Sequence, residues 1–245
     1  IALSDSPNFT GDKSWYNLNR KRRGEWVTKM LADVAEDANA PEFGGRIHPL
    51  QLAMDVQQAM GDEDWLVIDG GNTHFWSEIA VNMAGWKGQK LGGIMHPGNY
   101  SLLGVGVSFA ISAKAKNPNQ NVILISGDGA FLSGGLSVEA AFQEKLPIIV
   151  IIDNNGGLDC ISQQQERLFD SGKHFATDFR DIPFHSMFEG LGGYGELVET
   201  REQLIPALKR AIVSGKTACL NVKCRGVISP IVAATSDKRD KASIE

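Results

Sequence analysis

Two short segments, which are rich in β-branched residues and uncharged until their ends, constrain the fold of this chain most. They are Asn121–Ser126 and Pro147–Asp153. Segments of this length that are apolar throughout are typical of strands buried on both faces of a parallel sheet. The helical pattern of Leu136–Glu144 lies between them, which leaves room for a right-handed crossover that points both strand ends the same way. We therefore predict an α/β protein with a doubly wound, mostly parallel sheet and helices on both faces.

Polar residues follow both of these predicted strands. Gly127-Asp128-Gly129 follows the first strand, and Asn154-Asn155-Gly156-Gly157 follows the second. Ligands collect at the carboxyl ends of strands in open α/β sheets, and Mg²⁺ prefers oxygen ligands that it shares with phosphates. Each motif alone is also an ordinary tight turn. The pairing of Asp128 with Asn155, 27 positions apart with one helix and one strand between them, indicates a two-point metal site.

A third strand end lies upstream. Trp65–Asp69 is predicted as a strand that ends at the turn Gly70-Gly71-Asn72-Thr73, and a helix from His74 to about Met83 follows. The start of that helix offers free backbone N–H groups to an anion, so a phosphate can bind there. The alternatives are a bare strand-to-helix turn and a role for Thr73 as an N-cap only.

The segment from Ser101 to about Lys116 has the pattern of a long helix preceded by the turn His96–Tyr100. Gly104 and Gly106 lie near its predicted start, although glycine lowers helix stability. We therefore expect a neighbouring strand or a ligand to approach the backbone closely there. His96 is interpreted as a structural loop histidine in preference to a catalyst.

The remaining pattern indicates one main domain with an extension on each side. Residues 1–45 are predicted to be a helical connector and linker, residues 46–228 the main domain, and residues 229–245 a C-terminal tail. The other predicted elements are a helix from Ile47 to about Met60, a strand Leu91–Met95, a polar helix from Leu158, a strand Glu196–Glu199, a helix Arg201–Ser214 and a strand Ala218–Cys224.

Charge and composition exclude several classes of partner. The formal net charge is -5, and the dense basic cluster Arg20–Arg23 is short, so a nucleic acid is not expected as the main partner. That cluster is interpreted as a solvated helix face or, alternatively, a contact with phosphate or an acidic neighbour. No apolar span is long enough to cross a membrane. The three cysteines form no disulfide framework, so we expect a reducing, cytoplasmic location.

The run from Gly127-Asp128-Gly129 to Asn154-Asn155 resembles the thiamine-diphosphate-binding motif of the thiamine-dependent enzymes. In that motif, GDG is followed some two dozen residues later by NN. The match extends over most of residues 46–228, which are similar to the C-terminal diphosphate-binding domain of the acetolactate synthase, pyruvate decarboxylase and 2-hydroxyacyl-CoA lyase group. The resemblance implies thiamine diphosphate and Mg²⁺ as cofactors.

The resemblance also implies roles for individual residues. The Mg²⁺ ligands would be Asp128, Asn155 and the backbone oxygen of Gly157. The backbone N–H groups of Gly129 and Ala130 would contact the diphosphate. The first diphosphate loop would include Gly70, Asn72 and Thr73.

Four further residues match catalytic or substrate-facing positions of the family. Leu103 would hold the cofactor in its bent shape, and the carbonyl of Ser101 would receive its 4'-amino group, although the family commonly has Gly at the position of Ser101. Cys160 and Ile161 would face the substrate. Gly156-Gly157 and Asp159-Cys160 match no substrate signature of the family.

The resemblance implies a carboligase or lyase that acts on 2-oxo acids, with an acetolactate-synthase-like reaction as the first expectation. The alternatives are a 2-hydroxyacyl-CoA lyase, a 2-oxo-acid decarboxylase and, from another class, a non-catalytic diphosphate-binding module. The family's glutamate that activates the pyrimidine lies on a separate domain, which we expect from an N-terminal region or a partner subunit. A homodimer or homotetramer and a small 2-oxo acid or acyl-CoA substrate are expected accordingly.

Overall fold

The computed structural model describes residues 13–38, 45–86, 88–169 and 173–234. The elements named below within these ranges are nine α-helices and six strands. The helices are α1 (Ser14–Ala38), α2 (Pro49–Ala59), α3 (Asn72–Trp86), α4 (Gly106–Lys116), α5 (Asp128–Gly134), α6 (Glu139–Gln143), α7 (Asp159–Phe169), α8 (Phe184–Gly190) and α9 (Arg201–Ser214). The strands are β1 (Trp65–Ile68), β2 (Gly93–Met95), β3 (Val122–Gly127), β4 (Ile149–Asn154), β5 (Tyr194–Val198) and β6 (Ala218–Lys223).

The six strands form one sheet in the order β2-β1-β3-β4-β6-β5, and every pairing between these strands is parallel. β2 pairs with one edge of β1, and the next strand in the chain, β3, pairs with the opposite edge of β1. This reversal is the topological switch point at which doubly wound folds bind ligands. The predicted fold class is confirmed.

Alternate residues of the buried strands pack on opposite faces of the sheet. Ile123 and Ile125 of β3 belong to a core that includes apolar residues of α1, α2, α3 and α9. Val122 and Leu124 of the same strand belong to a second core with residues of α4, α5 and α8. Burial on both faces explains why these strands read as continuous apolar runs in the sequence.

The predicted helix start at Ser101 is wrong, because α4 begins at Gly106. Ser101 has a left-handed backbone with φ 46°, and the carbonyls of Ser101 and Leu102 lie against Gly70, where a side chain would not fit. The segment before α4 is therefore a loop over the end of β1. The expected close approach is confirmed, since Gly106 contacts Leu124 and Asp69.

Other elements also differ from the prediction. The single helix expected over residues 136–144 divides into a 3-10 turn at Gly135–Val138 and α6. The strand expected from Glu196 is β5, which begins at Tyr194. Helix α8 was not predicted; its residues Phe184 and Phe188 are fully buried and pack against Phe131.

The two predicted extensions lie partly outside the described residues. Residues 1–12 and 39–44 of the predicted connector and linker and 235–245 of the predicted tail are not described. Helix α1 packs Val27, Met30 and Val34 into the core of one sheet face. At the other end Ser229 is fully buried, and residues 230–234 are helical. The domain limits at 45 and 228 stay predictions.

None of the described helices combines the length and the apolar character that crossing a bilayer requires.

Candidate cofactor site

A cavity of about 250 Å³ lies at the carboxyl ends of β1, β3 and β4. All twelve residues that the sequence indicated for the site line this one cavity, although they come from four separate parts of the chain. They are Gly70, Asn72, Thr73, Ser101, Leu103, Asp128, Gly129, Ala130, Asn155, Gly157, Cys160 and Ile161.

Asp128, the first residue of α5, is a buried carboxylate that ties the loop after β4 to the end of β3. Its Oδ1 accepts a hydrogen bond from the Gly129 N–H at 2.7 Å. Its Oδ2 accepts from the Gly156 N–H at 2.8 Å and the Gly157 N–H at 3.0 Å. Burial raises the pKa of Asp128 to about 6, and the three N–H donors oppose that shift.

The two asparagines at the end of β4 have different environments. Asn154 is buried and donates through Nδ2 to Oδ1 of Asn221 on β6 at 2.8 Å, so it joins two strands. Asn155 lines the cavity, and its Oδ1 accepts the Gly157 N–H at 3.2 Å. Of these two asparagines, Asn155 is therefore the one whose side-chain oxygen lies at the site.

The donor groups of this cavity fit a hard divalent cation. The Asp128 carboxylate, the Asn155 amide oxygen and the Gly157 backbone line the same space. Asp159 lines it as well, and the buried Asp153 lies close by. Burial raises the pKa of Asp153 to about 7, with the charges of Asp128 and Asp159 adding to the shift. Concentrated buried negative charge of this kind is relieved by a cation with oxygen ligands.

The side chains of the first predicted diphosphate loop are engaged by neighbouring segments. Asn72 donates through Nδ2 to the Val227 carbonyl at 2.6 Å, and its Oδ1 accepts the Ser229 N–H at 2.9 Å. Thr73 donates its hydroxyl to Asp153 Oδ2 at 2.8 Å. Both residues line the cavity, but their side-chain hydrogen bonds hold the C-terminal segment and β4 in place.

The loop before α4 forms another wall of the cavity. The Ser101 hydroxyl accepts the Gly71 N–H at 2.9 Å, which fixes the loop against the turn after β1. Leu103 packs close to Gly71 and is 39% exposed. Because the Leu103 side chain is partly exposed, it can contact a ligand in the cavity.

Cys160 and Ile161 lie in the first turn of α7, on the far wall of the cavity. Burial, together with the charge of Asp159, raises the pKa of the Cys160 thiol. The thiol is therefore protonated at neutral pH and is a poor nucleophile. This environment favours a lining role for Cys160 over covalent chemistry.

Asp69 is a structurally central residue that the sequence reasoning did not assign to the site. It is fully buried directly after β1, and its Oδ1 accepts the N–H groups of Gly70 and Gly104, each at 2.9 Å. Its Oδ2 accepts the Ser126 hydroxyl at 2.9 Å. The sequence signal that could have identified it is an acidic residue between an apolar strand and a Gly-Gly turn.

A comparison with protein families finds one match across this site. The sequence model of the family described as "Thiamine pyrophosphate enzyme, C-terminal TPP binding domain" matches residues 69–222. The match begins at the carboxylate that follows β1 and ends in β6, so it includes each strand end that contributes to the cavity.

Curated relatives include two kinds of enzyme. A 2-hydroxyacyl-CoA lyase of Oryza sativa subsp. japonica is 27% identical over 235 residues, which are 91% of this chain and 38% of the relative. A probable acetolactate synthase of Mycobacterium bovis is 28% identical over 203 residues, which are 80% of this chain and 36% of the relative. The chain therefore spans well under half of the length of these relatives.

A solved structure is similar in fold. It is the thiamine diphosphate-dependent 4-hydroxybenzoylformate decarboxylase of Rhodococcus jostii RHA1, with a TM-score of 0.62 and 25% sequence identity. The similarity covers 76% of this chain and 34% of the decarboxylase.

Proposed function

Because this chain belongs to the thiamine pyrophosphate enzymes, through their C-terminal TPP-binding domain, we propose that its cavity binds thiamine diphosphate together with Mg²⁺. The observation that carries the proposal is the convergence of twelve predicted residues on one cavity at the switch point of the sheet. In this proposal Asp128, Asn155 and the Gly157 carbonyl hold the cation. The backbone turns after β1 and β3 hold the diphosphate.

Other residues of the chain would orient the cofactor and exclude water. Leu103 would hold the cofactor in its bent shape, and the Ser101 carbonyl would accept a hydrogen bond from the cofactor's amino group. Cys160 and Ile161 would line the substrate side. The pKa of the Cys160 thiol is raised, which supports a protonated and unreactive side chain there. When bound, thiamine diphosphate supplies an electron sink for carbanion chemistry at a carbonyl carbon.

We propose carboligation of 2-oxo acids, similar to that of acetolactate synthases, as the activity of the complete enzyme. The acetolactate synthase relatives support this reaction, and 2-oxo-acid decarboxylation is related chemistry. Cleavage of 2-hydroxyacyl-CoA is the second candidate. It is favoured by one observation, since the rice lyase aligns with 91% of this chain while the mycobacterial synthase aligns with 80%.

The proposal requires a second domain that carries the glutamate for the pyrimidine ring. Such a domain would come from a further region of the same protein or from a partner subunit, and a homodimer or homotetramer would bring the two together. The three free cysteines, Cys160, Cys219 and Cys224, support the proposed cytoplasmic location, because free thiols persist in a reducing compartment.

Titration calorimetry with thiamine diphosphate and Mg²⁺ tests the proposed cofactor. We expect saturable binding that requires the cation and that Asp128→Ala abolishes, because this variant removes the charged ligand. Asp181→Ala is the matched control. Asp181 is an exposed carboxylate beside the cavity that pairs with Lys223, so this variant should bind as tightly as the wild type.

Two results would contradict the proposal. They are the absence of cofactor binding and an affinity that does not change in Asp128→Ala. Assays with pyruvate and with a 2-hydroxyacyl-CoA, in the presence of the pyrimidine domain, then distinguish carboligation from 2-hydroxyacyl-CoA cleavage. Cofactor binding without turnover of either substrate would favour the non-catalytic diphosphate-binding module.

A further inference from the structure

A second group of possible metal ligands lies on the other side of Ser101 from the cofactor cavity. His74 and Glu78 are four residues apart on α3, and His96 follows β2. Among the described residues, these three form the one group of at least three histidine, cysteine or acidic side chains whose ligand atoms lie within 4.8 Å of one another. The side chains that line the cofactor cavity do not include them.

The three ligand atoms form a triangle of the size that a metal ion requires. His74 Nε2 lies 3.1 Å from Glu78 Oε1 and 3.1 Å from His96 Nδ1. His96 Nδ1 lies 3.4 Å from Glu78 Oε1. Ligands about 2.0–2.2 Å from a tetrahedral Zn²⁺ lie roughly 3.3–3.6 Å from one another. The triangle is therefore close to one face of such a coordination shell.

The hydrogen bonds around the two rings are compatible with a metal ligand on each. The Gly98 N–H donates to His96 Nδ1 at 3.3 Å, so this nitrogen is unprotonated, and a metal ion would replace that N–H as its partner. His74 Nδ1 lies 3.1 Å from the Ser101 hydroxyl, to which it can donate its proton. In that tautomer, the unprotonated His74 Nε2 lies beside His96 Nδ1 and Glu78 Oε1 with no proton between them. A cation among them removes the repulsion.

Burial leaves one side of the group open. The side chain of His74 is 2% exposed, whereas Glu78 is 35% and His96 38% exposed. A rigid buried ligand with two accessible partners permits entry of an ion and leaves a fourth position for water. Two histidines and one carboxylate with an open position are a ligand set that suits Zn²⁺ and other divalent transition metals.

We propose that His74, Glu78 and His96 form a binding site for a divalent transition-metal cation, with Zn²⁺ as the ion to test. The site is separate from the Mg²⁺ site proposed at Asp128. The Ser101 hydroxyl is its outer hydrogen-bonding partner, as metal-binding histidines ordinarily have. Bound metal would join α3 to the loop that precedes α4 and forms a wall of the cofactor cavity.

Equilibrium dialysis of the 245-residue chain against Zn²⁺ tests this proposal. We expect one equivalent of Zn²⁺ to bind, and both Glu78→Gln and His96→Ala to weaken binding by more than about 100-fold. Loss of an outer hydrogen-bonding partner alone costs about 10- to 100-fold, and these variants remove a ligand. Both side chains are partly exposed, so far-ultraviolet circular dichroism should match that of the wild type.

Two controls separate this site from the rest of the molecule. Asp128→Ala should retain the Zn²⁺ equivalent, because it changes only the proposed Mg²⁺ site. His174→Ala should retain it as well. His174 also contacts two carboxylates, Glu166 at 3.1 Å and Asp178 at 2.9 Å, but through opposite ring nitrogens, which cannot bind one ion together.

Visible absorption of Co²⁺ added to the same proteins gives an independent measurement of the ligand set. We expect the absorption of a nitrogen-coordinated Co²⁺ in the wild type and its loss in Glu78→Gln and His96→Ala. The proposal is overturned if these two variants bind Zn²⁺ as the wild type does. It is also overturned if the equivalent disappears in Asp128→Ala and persists in Glu78→Gln, whatever the outcome of the thiamine diphosphate titration.

Discussion

The carboxylate of Asp69 connects three segments of the chain beside the cofactor cavity through its two oxygens. It accepts hydrogen bonds from Gly70 after β1, Gly104 before α4 and Ser126 in β3. Asp69 is fully buried, so water cannot replace these partners. A buried donor that loses its acceptor costs about 1–3 kcal/mol, which makes this residue important for both stability and cavity shape.

Replacement of Asp69 by asparagine is expected to destabilise the domain and weaken cofactor binding. The asparagine amide accepts through one oxygen only, so the Ser126 hydroxyl must turn from donor to acceptor, and the Gly70 and Gly104 N–H groups bond to a neutral oxygen in place of a carboxylate. We expect the free energy of unfolding to fall by about 1–3 kcal/mol in urea titrations. We also expect weaker binding of thiamine diphosphate in calorimetry, because the connection between the loop before α4 and the end of β1 is weakened.

Asp64→Asn is the matched control for this prediction, at the opposite end of β1. Asp64 accepts the Gly61 N–H at 2.8 Å and the Asn121 side-chain amide at 2.9 Å, far along the strand from the cavity. This variant should reduce stability and leave cofactor affinity unchanged. Equal losses of cofactor affinity in Asp64→Asn and Asp69→Asn would contradict the specific role of Asp69.

At the scale of whole elements, α5 packs closely against the loop before α4, next to the site. Gly104 has a positive φ of 83° and lies against the backbone of Ser133 and Gly134. A Cβ atom added at Gly134 would overlap the carbonyl oxygen of Gly104. The two backbones therefore approach each other as closely as they do because neither glycine has a side chain.

Gly134→Ala is expected to destabilise the domain by about 1–3 kcal/mol, the usual cost of overpacking. The neighbouring atom is backbone, which cannot move aside as a flexible side chain can. Gly85→Ala in α3 is the control, since nothing lies within 4 Å of its added Cβ. That variant should be neutral or stabilising by up to about 1 kcal/mol. Urea unfolding of both variants makes the comparison, and equal stability of the two would contradict the packing argument.

The sequence was sufficient to predict the elements that bury continuous apolar runs. β3, β4 and α9 were predicted closely, because burial on both faces and helical periodicity are local patterns. The segment before α4 was not, since Ser101 and Gly104 adopt their conformations through contacts with Gly70 and Gly134, which are distant in sequence. Tertiary contact overrode a helical pattern there.

The same distinction applies to the site. The residues that line the cavity follow from motifs at strand ends, whose shared direction the parallel topology guarantees. The positions of Asp69 and of the His74 group depend on pairs separated by 22 to 57 residues, which no single motif contains. His96 alone in a loop resembled a structural histidine, and its neighbours on α3 become visible only in the folded chain.

For the molecule as a whole, acidic charge is concentrated where an anionic cofactor is proposed to bind. The net charge is -5, and Asp128, Asp153 and Asp159 all have a raised pKa with burial as the largest cause. A diphosphate can enter such a region only together with a cation that neutralises both the diphosphate and these carboxylates. Folding and cofactor binding are therefore linked through these carboxylates.

This linkage predicts that the chain without cofactor becomes less stable as pH rises through the neutral range. A carboxyl group with a raised pKa binds a proton in the folded chain where the unfolded chain has lost it. The stabilisation is complete below the ordinary pKa of about 3.9 and is lost as pH rises through about 6 for Asp128 and about 7 for Asp153.

Urea unfolding at constant ionic strength between about pH 5 and pH 8 measures this effect. We expect the free energy of unfolding to fall across that window, and to fall less in Asp153→Asn, whose amide carries no charge at any pH. Thiamine diphosphate with Mg²⁺ should restore most of the lost stability at the upper end of this pH range, because ligand binding to the folded state adds RT ln(1 + [L]/Kd).

A difference in the free energy of unfolding between wild type and Asp153→Asn that does not change with pH would contradict the raised pKa of Asp153. Restoration by thiamine diphosphate in the absence of any divalent cation would contradict the proposed neutralisation by Mg²⁺.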